Sequence, residues 1–388
     1  MFCALVILAS LSACSATKLL LVSTSAPTSS SDVTGLEVTT TVTNTGDETL
    51  KLLNHPQSVL SRWATNSFDV KNADGVAAEF TGIKIRYSSE EAAKSTDESA
   101  FTVLDPGASV QVAHEVGNFY NFTKAGAGAF TFNPSNIFQA VEADGTLTVI
   151  EAGVETTSTE LSGKLASSNF ISPKSAGGVS FAAASSRSKR ATYPSNCSAS
   201  RQTTNNQAIT AAATLARNAL NHLNNNPSGS TLQTTWYGTF AKSRYRTTKS
   251  AFATLTTAPS DWTYDCSCTD TKTFAFVFPN TYGIVYLCDR YWNVPTTGSG
   301  SRADTIIHEG THFNQILGTD DSAYGESACK TLALNDPDSA VNNAEHVLLL
   351  VFVDCGLTRV RIAITLTSLS TLKALVREGR RVMVGCKI

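Results

Sequence analysis

Apolar and polar residues alternate at every second position through much of the first half of the chain. In "LEVTTTVTNTGDETLKLL" (36–53) the alternation runs on both sides of an Asn-Thr-Gly-Asp step, the pattern of two half-buried strands joined by a tight hairpin turn. "FTGIKIRY" (80–87), "FTVLDPGASVQVAHEV" (101–116) and "GAFTFNPSNIFQAV" (128–141) continue it. Short strands at this spacing predict an all-β sandwich of immunoglobulin-like architecture. The period then changes. In "NNQAITAAATLARNALNHLNN", Ile209, Ala213, Leu215, Leu220 and Leu223 fall near helical spacing. In "ADTIIHEGTHFNQILG" (303–318), Ile306, Ile307, Phe313, Ile316 and Leu317 suit a helix ending at Gly318. "DCSCTDTKTFAFVFPNTYGIVYLCDRYW" (265–292) returns to strand-like alternation. The second half is therefore expected to be α+β and mainly helical.

Two stretches follow neither period. "MFCALVILASLSACSA" (1–16) is an apolar run closing in small residues, the shape of a secretory signal peptide. A lipid-bearing Cys14 or a buried N-terminal element are the alternatives. "SAGGVSFAAASSRSKRATYPSNC" (175–197) is a small-residue segment that reads as an exposed linker open to proteolysis. Its Lys189-Arg190 pair reads as a maturation site for a kexin-like protease, the alternative being a solvated charge cluster. The expected order is a signal peptide (1–16), a β-sandwich propeptide (17–190) and a second domain from Ala191.

A chain of 388 residues with 42% hydrophobic content can build two or three domains. A net charge of -2 with 16% charged residues excludes the usual nucleic-acid binder. No apolar run reaches the roughly 18 residues that span a bilayer, so no membrane partner is expected. Cysteine is absent from 17–190, whereas Cys197, Cys266, Cys268 and Cys288 follow it. In an oxidising compartment four such residues make two disulfides. Strand alternation turns Cys266 and Cys268 to opposite faces, so they do not pair with each other; of the two schemes left, Cys197 with Cys266 and Cys268 with Cys288 is the one expected. A zinc ribbon is the rival, but C-x-C without a second close pair is poor zinc spacing.

The chemistry gathers in "HEGTHFNQILGTDDSAYG" (308–325). His308 and His312, four apart on a helix, project on one face and can grip one cation. Neutral imidazoles suit Zn²⁺, and Glu309 on the adjacent flank is placed to take a proton from an attacking water. A catalytic zinc needs a third protein ligand and an open position. The extended metzincin pattern is excluded, because Gln315 and Gly318 stand where it needs Gly and His. A downstream Glu326 or Glu345 would give a thermolysin-like set, which spacing alone leaves open.

"GTDDSAYG" (318–325) resembles the GTxDxxYG signature of the aspzincins, the deuterolysin and peptidyl-Lys metalloendopeptidase family. "TTWYGTFAKSR", "YDCSCTD", "YGIVYLCDRYWNVPTTG" and "ESACKTLALNDPDSAVNNAE" are similar to it as well, the peptidyl-Lys branch most of all. The resemblance implies a secreted zinc endopeptidase made as a pro-form, with one Zn²⁺ per chain and protein or peptide substrates. It implies Asp321 as third ligand, with Asp320 solvated, and Tyr324 as the residue that steadies the oxyanion. Glu345, in "NNAEH", matches the aspartate that receives the substrate lysine. From Arg302 to Glu345 eight acidic residues stand against two basic ones, a lining that attracts cationic side chains.

The resemblance ends near residue 346. From Val347 to Ile388 seven basic residues stand against two acidic ones, with Cys355 and Cys386 added. This divergent tail replaces the last helix that the family would predict. The expectation is a monomeric, zinc-dependent, extracellular endopeptidase with a propeptide, a protease domain over 191–346 and the tail. Two other classes stay open: an impaired zinc-binding homologue, and a β-sandwich adhesion protein whose metal is structural.

Overall fold

The computed structural model describes residues 17–167, 190–323 and 325–347. Residues 1–16, expected to be a signal peptide, Lys189, Tyr324 and the tail from 348 on lie outside the described residues.

The alternating segments are strands, but the two strands of 36–53 do not pair as a hairpin. Val38–Asn44 lies between Leu20–Ser25 and Ser109–His114, while Leu50–Leu53 lies between Ile137–Val141 and Phe101–Leu104 in another sheet. The five residues between them are anchored rather than turned back. Asn44 Nδ2 donates to the carbonyls of Glu48 (2.8 Å) and Leu104 (2.9 Å). Gly46 rests on the Thr17 carbonyl, where a Cβ would fall 2.1 Å away. A third sheet runs Ser29–Asp32, Thr157–Lys164, Gly128–Pro134, Phe68–Asn72. "FTVLDPGASVQVAHEV" and "GAFTFNPSNIFQAV" likewise send their two strands to different sheets. Crossing between sheets lets Val38, Val42, Leu50, Leu52, Phe130, Phe132 and Phe138 share one core, which a flat two-stranded ribbon could not bury.

Beyond residue 190 helices dominate. Ala199–Asn225 starts where Ser198 Oγ accepts the Arg201 N–H, one residue after Cys197, which is bonded to Cys266. Its buried stripe runs through Ala208, Ala212, Ala216, Ala219 and Leu223. The stripe is displaced from Ala213, Leu215 and Leu220, which are half-buried, because small alanines admit the neighbouring helices Lys242–Leu255 and Arg302–His312 at close range. Cys268 is bonded to Cys288, the residue before the short helix Asp289–Trp292. Among the described residues no helix is long and apolar enough to cross a membrane.

The sheet of this second region runs Thr263–Asp265, Ile284–Leu287, Thr273–Val277, Lys84–Tyr87. Its last strand belongs to "FTGIKIRY". The sequence pattern assigned that segment to the N-terminal sandwich, yet Lys84–Tyr87 lies antiparallel along the edge of Thr273–Val277. Ile83 and Ile85 are buried with Phe276, Phe278 and Tyr286, so apolar burial on the far sheet outweighs pairing at home.

Candidate metal centre

Both histidines lie on helix Arg302–His312. Ser301 caps it, its Oγ accepting the Asp304 N–H at 3.2 Å, and every residue from Ala303 to His312 is buried. Position 310 must be small. A Cβ on Gly310 would come within 2.6 Å of Trp262 and 2.7 Å of Leu255, so glycine lets the helix seat directly on that indole.

The helix stops at His312, before the Gly318 that the pattern favoured as its end. Phe313 leaves the helix with φ -62° and ψ 129°, and its carbonyl accepts the N–H groups of Ile316, Leu317 and Gly318. Gly318, at φ +65°, turns the chain back. Thr319 then pairs with the helix end: its N–H reaches the Thr311 carbonyl at 3.1 Å and its Oγ1 lies 2.7 Å from Thr311 Oγ1. Asp321 is thereby brought under the two histidines.

His308 Nε2 lies 3.1 Å from Asp321 Oδ1, and His312 Nε2 lies 3.4 Å from Asp321 Oδ2. The three ligand atoms fall within 4.8 Å of one another. Donors held about 2.0–2.1 Å from a tetrahedral ion are themselves about 3.3 Å apart, so the spacing suits one small cation. His312 Nδ1 sits 2.8 Å from the Thr319 carbonyl, which turns Nε2 toward the shared centre. His308 Nε2, His312 Nε2, both Asp321 oxygens and both Glu309 oxygens are buried without a hydrogen bond of good geometry. Buried polar atoms are costly when unpaired, and a cation among them removes that cost. Two imidazoles and one carboxylate leave a fourth position open, as catalytic rather than structural zinc sites do.

Electrostatics agree with the donor set. Burial pushes His308 down to about 4, against the pull of Asp321, and lowers His312 as well, so both rings are neutral ligands. Burial raises Asp321, but the pull of His312 and His308 in their protonated form, and of Lys84, outweighs it and places Asp321 below the usual carboxylate range. Glu309 is raised well above the usual range by burial, then by the charge of Asp321.

Of the other residues singled out in the sequence, Glu345 is only 17% exposed at its side chain and places Oε2 3.9 Å from His308 Nδ1. Burial raises it to about 7. Asp320 is not simply solvated: it pairs with Lys84 of the N-terminal strand and accepts from Asn342 Nδ2 at 3.3 Å. Arg190 is exposed.

Two residues at the site, Arg86 and Asn343, carried no functional signal in the sequence, and Asp304 carried only its share of the acidic run from Arg302 to Glu345. Arg86 Nη2 is 2.9 Å from Asp304 Oδ2 and 3.9 Å from Glu345 Oε2. Asp304 reads as an acidic first-turn residue of the helix, which it also is. Asn343 holds the loop that carries Asp321. Its Oδ1 accepts from Ser322 N (2.8 Å) and Ala323 N (3.1 Å), and its Nδ2 donates to the Ala323 carbonyl (2.9 Å). Asn343→Ala is expected to lower metal affinity about 10–100-fold, the usual cost of losing an outer support. Competition with a chelating dye measures it, and an unchanged affinity would remove Asn343 from this role.

A buried HExxH helix, a returning aspartate and an open ligand position define a metallopeptidase-type hydrolytic centre. Residues 222–349 match the family profile described as lysine-specific metallo-endopeptidase, the aspzincins. A peptidyl-Lys metalloendopeptidase of Armillaria mellea is 41% identical over 318 residues, covering 81% of this chain and 86% of its own length. One of Grifola frondosa is 39% identical over 324 residues, covering 83% and 89%. An extracellular protease of Aeromonas hydrophila is 37% identical over 142 residues, covering 36% and 40%. A solved zinc peptidase from Grifola frondosa, 39% identical, is covered over 96% of its length and covers 40% of this chain, with a TM-score of 0.38. This chain belongs to the aspzincin family of zinc metalloendopeptidases.

Proposed function

We propose that this chain is a secreted zinc endopeptidase, made as a zymogen, that cuts peptide bonds on the amino side of lysine. The observation that carries the reading is the convergence of His308, His312 and Asp321 beside a buried Glu309. A zinc ion held by the three ligands supplies Lewis acidity to the cleft. Glu309, one residue from a ligand, takes the proton of the attacking water and passes it to the leaving amine. Tyr324 steadies the oxyanion by its phenolic hydroxyl, a role carried over from the family motif. Glu345 receives the substrate's ammonium group. The names of the Armillaria and Grifola relatives support lysine as the preferred residue, and a glutamate in place of the family's aspartate keeps the charge on a longer arm.

In this reading residues 1–16 are a signal peptide, 17–190 an immunoglobulin-like propeptide released by a kexin-like protease at Lys189-Arg190, 191–346 the protease domain and 347–388 a divergent tail. Two disulfides and the absence of a membrane-crossing helix among the described residues support export. The working enzyme is a monomer. Zero exposure at His308, Glu309 and His312 while the N-terminal region is attached supports a latent form.

Digestion of a protein containing lysine and arginine by the linker-cleaved chain, with and without a zinc chelator, tests the reading. New N-termini should begin with lysine and vanish with the chelator. Chelator-resistant cuts, or none from a folded, zinc-loaded chain, would refute it.

A further inference from the structure

Strand Lys84–Tyr87 comes from the N-terminal region but completes the sheet beside the metal centre. It runs antiparallel to Thr273–Val277, with Lys84 opposite Val277, Ile85 opposite Phe276 and Arg86 opposite Ala275. This is how an extended peptide adds to an open sheet edge, backbone bonds giving affinity and alternate side chains giving selectivity. Ile85 faces the apolar side, buried at 1% exposure with Phe276 and Tyr286. Arg86 faces the helix that carries the histidines and is 7% exposed. Its Nη2 donates to Asp304 Oδ2 at 2.9 Å and its Nη1 to Thr305 Oγ1 at 3.2 Å, with Glu345 Oε2 at 3.9 Å. Glu345 Oε2 lies in turn 3.9 Å from His308 Nδ1, so the guanidinium ends one residue away from the metal ligands.

Asp304 explains why a cation belongs there. It is 1% exposed, Oδ2 accepts from Gly300 N at 2.6 Å besides Arg86, and Oδ1 has no partner. Removing Arg86 leaves this buried carboxylate beside Glu345 and Glu309 without a countercharge, a costly state that a basic substrate side chain relieves.

We propose that residues 83–87 are a built-in substrate mimic: the strand occupies the edge of Thr273–Val277 used by incoming peptides, and Arg86 fills the basic-residue pocket, whose principal anion is Asp304 with Glu345 as its second wall. The inference rests on the reading that the N-terminal region is a removable pro-segment. Arginine meets the acidic pair with a planar fork where a substrate lysine offers a point charge.

The test uses the full zinc-loaded chain, intact and after cleavage of the linker, with Arg86→Met, Arg86→Ala and Arg86→Lys. Hydrolysis of a peptide with one lysine and retention of the N-terminal piece on size exclusion are measured together. Intact wild type should be nearly inactive. Arg86→Met, which keeps length and apolar bulk if the alanine variant misfolds, should raise intact-chain activity and weaken retention by at least ~10-fold each, as loss of a buried charge pair does. Arg86→Lys should fall between wild type and Arg86→Met in both, because the charge persists while the planar fork is lost. A folded Arg86→Met chain that stays latent and tightly retained overturns the mimic and leaves a plain steric cover. An intact wild-type chain as active as the cleaved one overturns the mimic and the pro-segment reading together.

Discussion

Glu309→Gln in the linker-cleaved chain is expected to cut kcat by about 10²–10⁴-fold, the range supplied by a positioned general acid-base group. The side chain keeps its size but loses the ability to take and return a proton. Metal binding should persist at one ion per chain, because His308, His312 and Asp321 supply the donor atoms. KM for a lysine peptide should change little, since the pocket proposed for the substrate cation is built on Asp304 and Glu345, which pair with Arg86, and not on Glu309. The fold is not at risk, because both Glu309 oxygens already lack hydrogen-bond partners and a neutral amide there removes a buried carboxyl group. Metal content by mass spectrometry and steady-state kinetics check the pair of outcomes. Activity within tenfold of wild type would take the proton-transfer role away from Glu309.

Asp321→Ala is expected to weaken metal binding by more than about 100-fold, beyond what loss of an outer support costs, and to abolish peptidase activity at equal zinc. Two histidines on one helix remain, but a two-ligand site cannot define a tetrahedral catalytic centre. Structural damage is separable from ligand loss by comparing the variant with chelated wild type. Thr319 still bonds to Thr311 and Asn343 still holds Ser322 and Ala323, so the two metal-free proteins should melt within a few degrees of each other. Zinc should then raise the melting temperature of wild type alone, because a ligand that binds only the native state stabilises it by mass action. A zinc-dependent rise in the variant would mean that another residue completes the site.

The sequence carried the centre unevenly. His308, Glu309 and His312 were legible because a helical repeat of 3.6 residues fixes where positions i and i+4 point, whatever packs around them. Asp321 was not legible from spacing, which left Glu326 and Glu345 as rivals; only the whole "GTDDSAYG" motif singled it out. Its approach depends on a helix that ends at His312 and a reversal through Gly318, details that the apolar pattern of Ile316 and Leu317 masked. Strand positions in the first half were legible by their alternation. Their partners were not, since period 2 says which face is buried and nothing about which neighbour supplies the hydrogen bonds.

By itself, then, the sequence determined the β-rich first half, the helical second half and the histidine face with its glutamate, all set by local periodicity or chemical type, and it narrowed the cysteine pairing to two schemes. Tertiary structure alone decided that strand Lys84–Tyr87 leaves its own sheets for the edge of Thr273–Val277, and that Arg86 meets Asp304 218 positions further on. No local propensity encodes such a meeting. It follows from burying Ile83 and Ile85 on a distant sheet and from the need of a buried carboxylate for a cation.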